Sequence, residues 1–380
     1  MDKSKSFLIV ASIADNYSTS RIKEEAEKRG HEVTVSTPPD FYLHTSNVQG
    51  HDKIFVKDGR LFKKQFDAII PRIGKGLNFG AKVVHHWEHN IGIPTTAPAV
   101  GLLNAADKWK TIQLLSKHRV QVPLTTVMKQ PEDFGRLVDT VGGLPCVAKT
   151  LTGSQGKGVF ILETPLAGST TLKSFSHQNI MLLLQQYVNT SKDDDRQNDI
   201  RVWVVNGEVV AAYRRFSVAD DFRSNYSISG HGEKVELTRD EKFMAVKAAH
   251  AVGLDCAGVD IMRDVDDDNK PYVIEVNGNA SLKGVEAVTG VNVAEKVVDY
   301  AEHICKGEKT KARNDGAMAI NSPDTDKYLC SITRRAMGNR KPSKPFSSST
   351  PKSRKSTAPT DPREKYIGPI ERKALRRDRR

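Results

Sequence analysis

Short apolar runs alternate with charged amphipathic stretches along the chain up to about residue 309, and this pattern predicts strands alternating with helices. FLIVASIA reads as a strand, TSRIKEEAEKRG as a helix stopped at Gly30, and HEVTVST as the next strand. FVKDGRLFKK predicts a hairpin turning at Asp58-Gly59. FDAIIPRIG predicts a strand that breaks at Pro71, and a helix over about residues 80–91 follows. These elements make a small open sheet with flanking helices, ending near residue 97.

In the second block NAADKWKTIQLLSKH predicts one helix, PLTTVMK a strand and residues 132–141 another helix. PCVAKTL and VFILET are strands on either side of a glycine-rich segment, and the near-continuous apolar run IMLLLQQYV is a buried strand. Two hairpins follow, DIRVWVVNGEVVAAYRRF and AGVDIMRDVDDDNKPYVIEVNGN, with a helix over residues 239–252 between them. VNVAEKVVDYAEHICKG is the last helix. The expected class is α/β with α+β lobes, divided into residues 1–97, 98–185, 186–308 and a tail, 309–380. The tail is rich in Ser, Pro, Lys and Arg and is expected to be largely disordered, its last stretch GPIERKALRRDRR being able to form a helix on an anionic surface.

Composition sharpens this picture in two places. Four cysteines, at 146, 256, 305 and 330, form no C-x-x-C pair, which argues for a reducing, cytoplasmic compartment and against disulfides or a zinc ribbon. The opening apolar run ends at Asp15, so it reads as a strand and not a signal peptide, and no apolar run approaches membrane-spanning length. The net charge of +12 is confined to residues 334–380, which hold 16 Lys+Arg and 4 Asp+Glu. Such a tail suits a polyanion such as RNA or the ribosome, and a merely solubilising extension is the alternative.

The segment KTLTGSQGKGV fits neither a Walker loop nor the G-x-G-x-x-G fingerprint. Its glycines still allow backbone N–H groups to approach phosphate oxygens, although a plain hairpin turn is the first reading of the loop alone. In the last hairpin, a turn centred between Asp267 and Asp268 sets Asp260 opposite Glu275, with Asn277 on the same face. Ile261 then meets Ile274, and Val259 meets Val276, on an oily face. Two facing carboxylates call for a cation between them, and oxygen ligands with an amide suit Mg²⁺ or Mn²⁺. Asp266–Asp268 read as a surface turn. In the other hairpin, Asn206-Gly207 is the turn and places Asp199 opposite Arg214, either as a structural ion pair or as part of a site. Arg223, Ser224 and Asn225 cluster in a loop, where Arg223 is a candidate for stabilising a transferring phosphoryl group. Lys149, inside a strand, is unusual for a buried position, with snorkelling the alternative. Lys108 lies early in a helix, where the solvated face is the default.

Eight motifs occur in order: IPRIG at 70–74, DK at 107–108, VAKTLTGSQGKGV, QQYV, DIR, DFRSN, AGVDIMR and EVN. Over roughly residues 5–305 the chain therefore resembles the ATP-grasp superfamily, and specifically RimK-like α-L-glutamate ligases. The resemblance implies an ATP-grasp fold with an N-terminal Rossmann-like pre-ATP-grasp domain, and the use of ATP with two Mg²⁺ or Mn²⁺ ions. It implies that Gly153, Ser154, Gln155, Gly156 and Gly158 close over the β- and γ-phosphates, and that Lys108 and Lys149 contact phosphates. Gln186 and Tyr187 fall on the adenine hinge, Asp199 on the nucleotide side, and Arg223, Ser224 and Asn225 on the phosphate-side loop. Asp260, Glu275 and Asn277 match the metal ligands, and Arg72 is placed to clamp a substrate carboxylate, with Arg214 on the substrate side. Gln186 stands where the family often has glutamate, and GNASLKG replaces an Ala-Ser-Pro-Gly-like turn after EVN.

The expected activity is a two-step ligation of L-glutamate to a carboxylate through an acyl phosphate. The resemblance points to the C-terminus of a small-subunit ribosomal protein as acceptor. Rival readings are a small metabolite or carrier protein as acceptor, or an RNA-binding protein with a vestigial ligase body. The tail itself is a further possible acceptor, and relatives suggest a homo-oligomer.

Overall fold

The computed structural model describes residues 4–48, 52–57, 59–62, 64–129, 134–153, 158–191, 197–217 and 232–307. β1 (Ser6–Ala11) lies at the centre of a parallel sheet between β2 (Glu32–Ser36) and β5 (Ala68–Arg72). From Phe7 to Ala11 its side chains are apolar on both faces, as a strand covered from both sides requires. α1 (Tyr17–Lys28) makes the crossover to β2; the Asn16 side chain caps it by accepting the Thr19 N–H, and Gly30 in the left-handed region ends it.

β5 runs through Pro71, where the sequence predicted a break. The Ile69 N–H donates to the Pro94 carbonyl and Ile69 accepts from Thr96 N–H, so alternate residues of β5 turn away from β1. Residue 71 shares that outer side, where no ladder needs its N–H. β3 (Phe41–His44) and β4 (Lys53–Val56) pair antiparallel, and Phe55 bridges to Leu61 around the expected turn, of which Asp58 lies outside the described residues. α2 (Leu77–His85) continues into a π-helical segment, His86–Ile91.

Two helices replace the single one predicted across Asp107. α3 (Ala99–Ala106) ends where Asp107 takes an extended conformation, and the Asp107 carboxylate then accepts the Lys110 N–H to start α4 (Lys108–Lys117). α3 crosses the end of α7 (Arg239–Val252) at Gly101, where a Cβ would lie 2.2 Å from the Gly253 carbonyl oxygen. Only glycine allows that approach.

A four-stranded antiparallel sheet follows, in the order β6 (Thr125–Met128), β9 (Leu182–Gln186), β7 (Cys146–Thr150) and β8 (Val159–Leu162). The apolar run in β9 is explained by its place between two neighbours. α5 (Phe134–Asp139) and α6 (Pro165–His177) supply Val138 and Leu172 to its core. Nothing in the sequence reading anticipated α6.

The largest sheet is antiparallel, in the order β12 (Gly232–Lys234), β11 (Glu208–Phe216), β10 (Asn198–Val205), β13 (Cys256–Asp264) and β14 (Lys270–Asn277). One face buries Val202, Val259, Ile261, Val273 and Val276 against the alanine-rich side of α7. The other face is divided along its length. At one end Trp203, Ala211, Tyr213 and Cys256 pack with Phe7, Ile9 and Ile70 of the parallel sheet, with α8 (Leu282–Thr289) and with α9 (Val293–Cys305). At the other end the same face carries Asp199, Arg201, Arg215, Asp260, Glu275 and Asn277. This division sets the polar cluster at the edge of the apolar seam.

Two bulges correct the expected hairpin registers. Asn206 and Gly207 both adopt positive φ, as their turn demands, and Val204 faces Val209. The bulge then makes Trp203 face Ala211, so Asp199 pairs with Arg215 and Arg214 is opposite Ile200. In β13–β14 Asp260 does face Glu275, and Val259 faces Val276, but a bulge beside Asp260 makes Ile261 face Val273 and not Ile274. No helix among the described residues is long and apolar enough to cross a membrane. Cys146, Cys256 and Cys305 are free thiols; Cys330 and the predicted tail lie outside the described residues.

Candidate active site

The polar end of the large sheet meets the four-stranded sheet at the stem of the glycine-rich segment. β7 and β8 pair in register up to Lys149 and Val159, and the Thr150 N–H donates to the Gly158 carbonyl at 2.9 Å. The segment is thus a hairpin connection, with Gly153 and Gly158 at positive φ. A Cβ on Gly158 would come within 2.5 Å of the Thr150 hydroxyl, so the stem closes tightly only with glycine. Ser154, Gln155 and Gly156 lie outside the described residues.

Both predicted lysines converge on this stem. Lys108 opens α4, and its Nζ donates to the Gly153 carbonyl at 3.0 Å and lies 4.0 Å from Glu275 Oε1. It turns inward to the cleft and away from the solvated face that helix position alone suggested. Lys149 is half-buried, and its Nζ donates to Gln185 Oε1 at 2.6 Å. Burial pushes the Lys149 ammonium down to about 8; Glu275 and Asp260 oppose that shift and Lys108 adds to it. Gln185, in turn, donates to the Thr125 hydroxyl, which fixes its carbonyl toward the lysine. Beside it, the Gln186 N–H donates to the Leu124 carbonyl and the Gln186 side chain accepts the Leu124 N–H, so this glutamine ties β9 to the chain before β6. Burial raises the Tyr187 phenol above its ordinary value.

The acidic residues are held by arginines the sequence reading did not single out. Arg215 donates through Nε to Asp199 at 2.6 Å, and its Nη2 lies 3.1 Å from Asp260. Arg201, directly across from Asp260, forks onto it through Nε and through Nη2 at 2.8 Å. Burial alone would push the Asp260 carboxyl up, but the Arg201 and Arg215 guanidiniums more than offset it and hold it below the usual range. Burial raises the Asp199 carboxyl, with Arg215 opposing. A signal for Arg201 was present in the sequence, since it stands two residues from Asp199 and so shares its face. Arg215 was hidden by the bulge.

Asp260, Glu275 and Asn277 share this face and offer two carboxylates and an amide, a donor set suited to a hard divalent ion. No group of three or more His, Cys, Asp or Glu gathers closely enough to hold a metal among the described residues, so the amide is needed as the third ligand. Asn277 Nδ2 now donates to Asp260 Oδ2 at 3.2 Å, and turning the amide over would present its oxygen instead. Arg72 lies apart, buried at the end of β5, with Nη2 donating to the Ala280 carbonyl at 2.6 Å. Arg214 is on the face opposite Asp199, so the structure separates it from the polar cluster. Arg223, Ser224 and Asn225 lie outside the described residues.

A glycine-stemmed hairpin on one antiparallel sheet, with Lys149 on it and Lys108 beside it, facing a second sheet that carries carboxylates, arginines and an amide, is the arrangement of an ATP-grasp ligase. Residues 105–301 match the RimK-like ATP-grasp domain and residues 6–102 the RimK pre-ATP-grasp domain. The chain belongs to the RimK-like family of ATP-grasp α-L-glutamate ligases and is an ATP-dependent ligase. It is 36% identical over 301 residues to a probable α-L-glutamate ligase 1 of Shewanella frigidimarina, covering 79% of this chain and 96% of that one. It is 38% identical over 288 residues to a probable α-L-glutamate ligase of Aeromonas salmonicida, covering 76% and 93%. Among solved structures, the ATP-grasp ligase PsnB with its minimal precursor, Mg and ADP has the same fold, with a TM-score of 0.60 at 19% identity over 79% of this chain and 98% of that one.

Proposed function

We propose that this ligase joins L-glutamate to the C-terminal carboxylate of a protein or peptide, a small-subunit ribosomal protein being the acceptor that the motif resemblance implies. The observation that carries the reading is the convergence of Lys108, Lys149 and the glycine stem on the face that bears Asp260, Glu275 and Asn277. In the first step an acceptor carboxylate oxygen attacks the γ-phosphorus of ATP, the bond to the β–γ bridging oxygen breaks, and ADP leaves. In the second step the glutamate nitrogen attacks the acyl carbon, the carbon–oxygen bond to phosphate breaks, and the amine gives up a proton. Lys108 and Lys149 neutralise phosphate charge, and the backbone of the glycine segment encloses it. Asp260, Glu275 and Asn277 would hold Mg²⁺, which screens charge between the polyphosphate and the attacking oxygen. Gln186 and Tyr187 border the adenine, and Asp199 the nucleotide. The parts given to Ser154, Gln155, Gly156, Arg223, Ser224 and Asn225 rest on the resemblance alone.

Arg72 is the residue we assign to a substrate carboxylate. It is 6% exposed, its Nε has no partner among the described residues, and burial lowers it to about 10. A cation so placed gains from an incoming anion. Peptidic acceptors are favoured because PsnB, of the same fold, is seen with its precursor peptide PsnA2.

The test is incubation with ATP, Mg²⁺ and each amino acid, with acceptor peptides and small carboxylates supplied in turn, scored by phosphate release and product mass. Glutamate-dependent mass addition to a peptide is expected. Addition only to a small metabolite would move the acceptor class, and addition to the enzyme would make the basic tail the acceptor. No turnover with any panel member would leave a polyanion-binding protein as the better reading.

Lys149 makes a second outcome specific. Its charged form is the one that meets phosphate, so ATP affinity should hold below pH 8 and weaken as pH rises through about 8. Fluorescent-nucleotide titrations from pH 6.5 to 9.5, on the order of one tenfold loss per unit above the midpoint, would register it. Lys149→Arg should flatten that limb. An affinity constant across the range would remove Lys149 from the phosphate contacts.

A further inference from the structure

Asp260 is buried in the middle of the polar face, and both its oxygens are already taken by guanidiniums. Arg201 reaches it from the adjacent strand and Arg215 from one strand further away, past Asp199. Glu275, opposite Asp260, has its own cation, Lys108, at 4.0 Å. A carboxylate this deep needs a positive partner, and the two arginines supply it. A divalent ion bound to Asp260 would draw on the same oxygens at about 2.0–2.1 Å. Four N–H donors, two from Arg201 and one each from Arg215 and Asn277, already fill the acceptor sites of Asp260, so an incoming ion has to compete with the guanidiniums for it.

We propose that Arg201 and Arg215 stand in for the divalent ion in the nucleotide-free enzyme and compete with it for Asp260. The proposal rests on the metal reading given above. On this view the buried carboxylate is never left without a cation: the guanidiniums hold it until the ion arrives, and the ion releases them. Metal affinity of the free enzyme is then set by how firmly the fork grips, and not by the three oxygen ligands alone. Arg201 and Arg215 act through Asp260 and are positioning residues in this role.

The probe is Mn²⁺ alone, titrated by electron paramagnetic resonance into the full chain without nucleotide. Arg201→Gln and Arg215→Gln are each expected to bind Mn²⁺ about tenfold more tightly than wild type, because a competing unit charge is gone. Mg²⁺ should also raise the melting temperature of Arg201→Gln more than that of wild type, since the ion replaces a lost partner. Unchanged or weaker Mn²⁺ affinity in both variants overturns the proposal while leaving the metal site intact. If Mn²⁺ binds neither wild type nor variants, even with ATP present, the metal reading falls and the proposal with it. Should either variant fail to fold, the decision passes to wild type. Its arginine Nε–H resonances should shift as Mg²⁺ saturates, and Asp260→Asn should abolish that response; resonances indifferent to Mg²⁺ overturn the proposal.

Discussion

Glu275→Gln is expected to lower glutamate-dependent ADP formation by about 10³-fold, roughly 4 kcal/mol of transition-state stabilisation, while the melting temperature changes little. Glu275 separates chemistry from stability better than Asp260 does. Its side chain is 32% exposed and, among the described residues, its ion pair is the long contact to Lys108, so removing the charge strands none of the described arginines. The same change should act on Lys149, because Glu275 is among the groups that hold the lysine in its charged form. The fall of ATP affinity at alkaline pH should therefore begin at lower pH in the variant. Coupled-enzyme assay of ADP and nucleotide titration across pH check the two effects. Activity within tenfold of wild type would show that Glu275 does not serve the transferring phosphoryl group.

Arg215→Ala is expected to cost about 3–5 kcal/mol of stability at pH 8, since it leaves Asp199 without its guanidinium and weakens the hold on Asp260, both buried. The pH dependence has a definite sign. Burial already raises the Asp199 carboxyl in the wild type, and losing Arg215 raises it further. A carboxyl whose folded-state value lies above its unfolded one stabilises the fold below the unfolded value and loses that contribution as pH rises through the folded one. The deficit of the variant should thus narrow as pH falls from 8 toward 5. Urea denaturation at the two pH values is the measurement. An unchanged midpoint at pH 8 would mean that water reaches these carboxylates and that the ion pairs contribute little.

Much of the scaffold was legible because strands and helices here obey simple periods. The helix over 239–252 is bounded where the sequence placed it, by a Thr238–Glu241 capping box and by Gly253 at positive φ. Asp260 does face Glu275, but by way of the bulge: the ladder next to the turn runs one residue off the expected register, and the bulge beside Asp260 restores the pair. Helix-compatible residues run across Asp107, and only its extended backbone splits the helix. Pro71 looked like a break because its missing N–H matters only on a paired side, and sidedness is not written in a single strand. A bulge in β10–β11 moved the partner of Asp199 from Arg214 to Arg215, a change of one residue that reverses the face.

The sequence by itself determined the α/β class, most of the order of the elements, the glycine segment between two strands, and the hairpin whose strands carry two carboxylates and an amide. Each of these follows from local periodicity and turn chemistry, which act over a few residues. Tertiary structure alone decided that Lys108 turns inward to Gly153 and Glu275, that Lys149 rests on Gln185, and that two arginines hold Asp260. Those contacts join residues far apart in the chain, and burial there makes charge pairing obligatory, which no local pattern can specify.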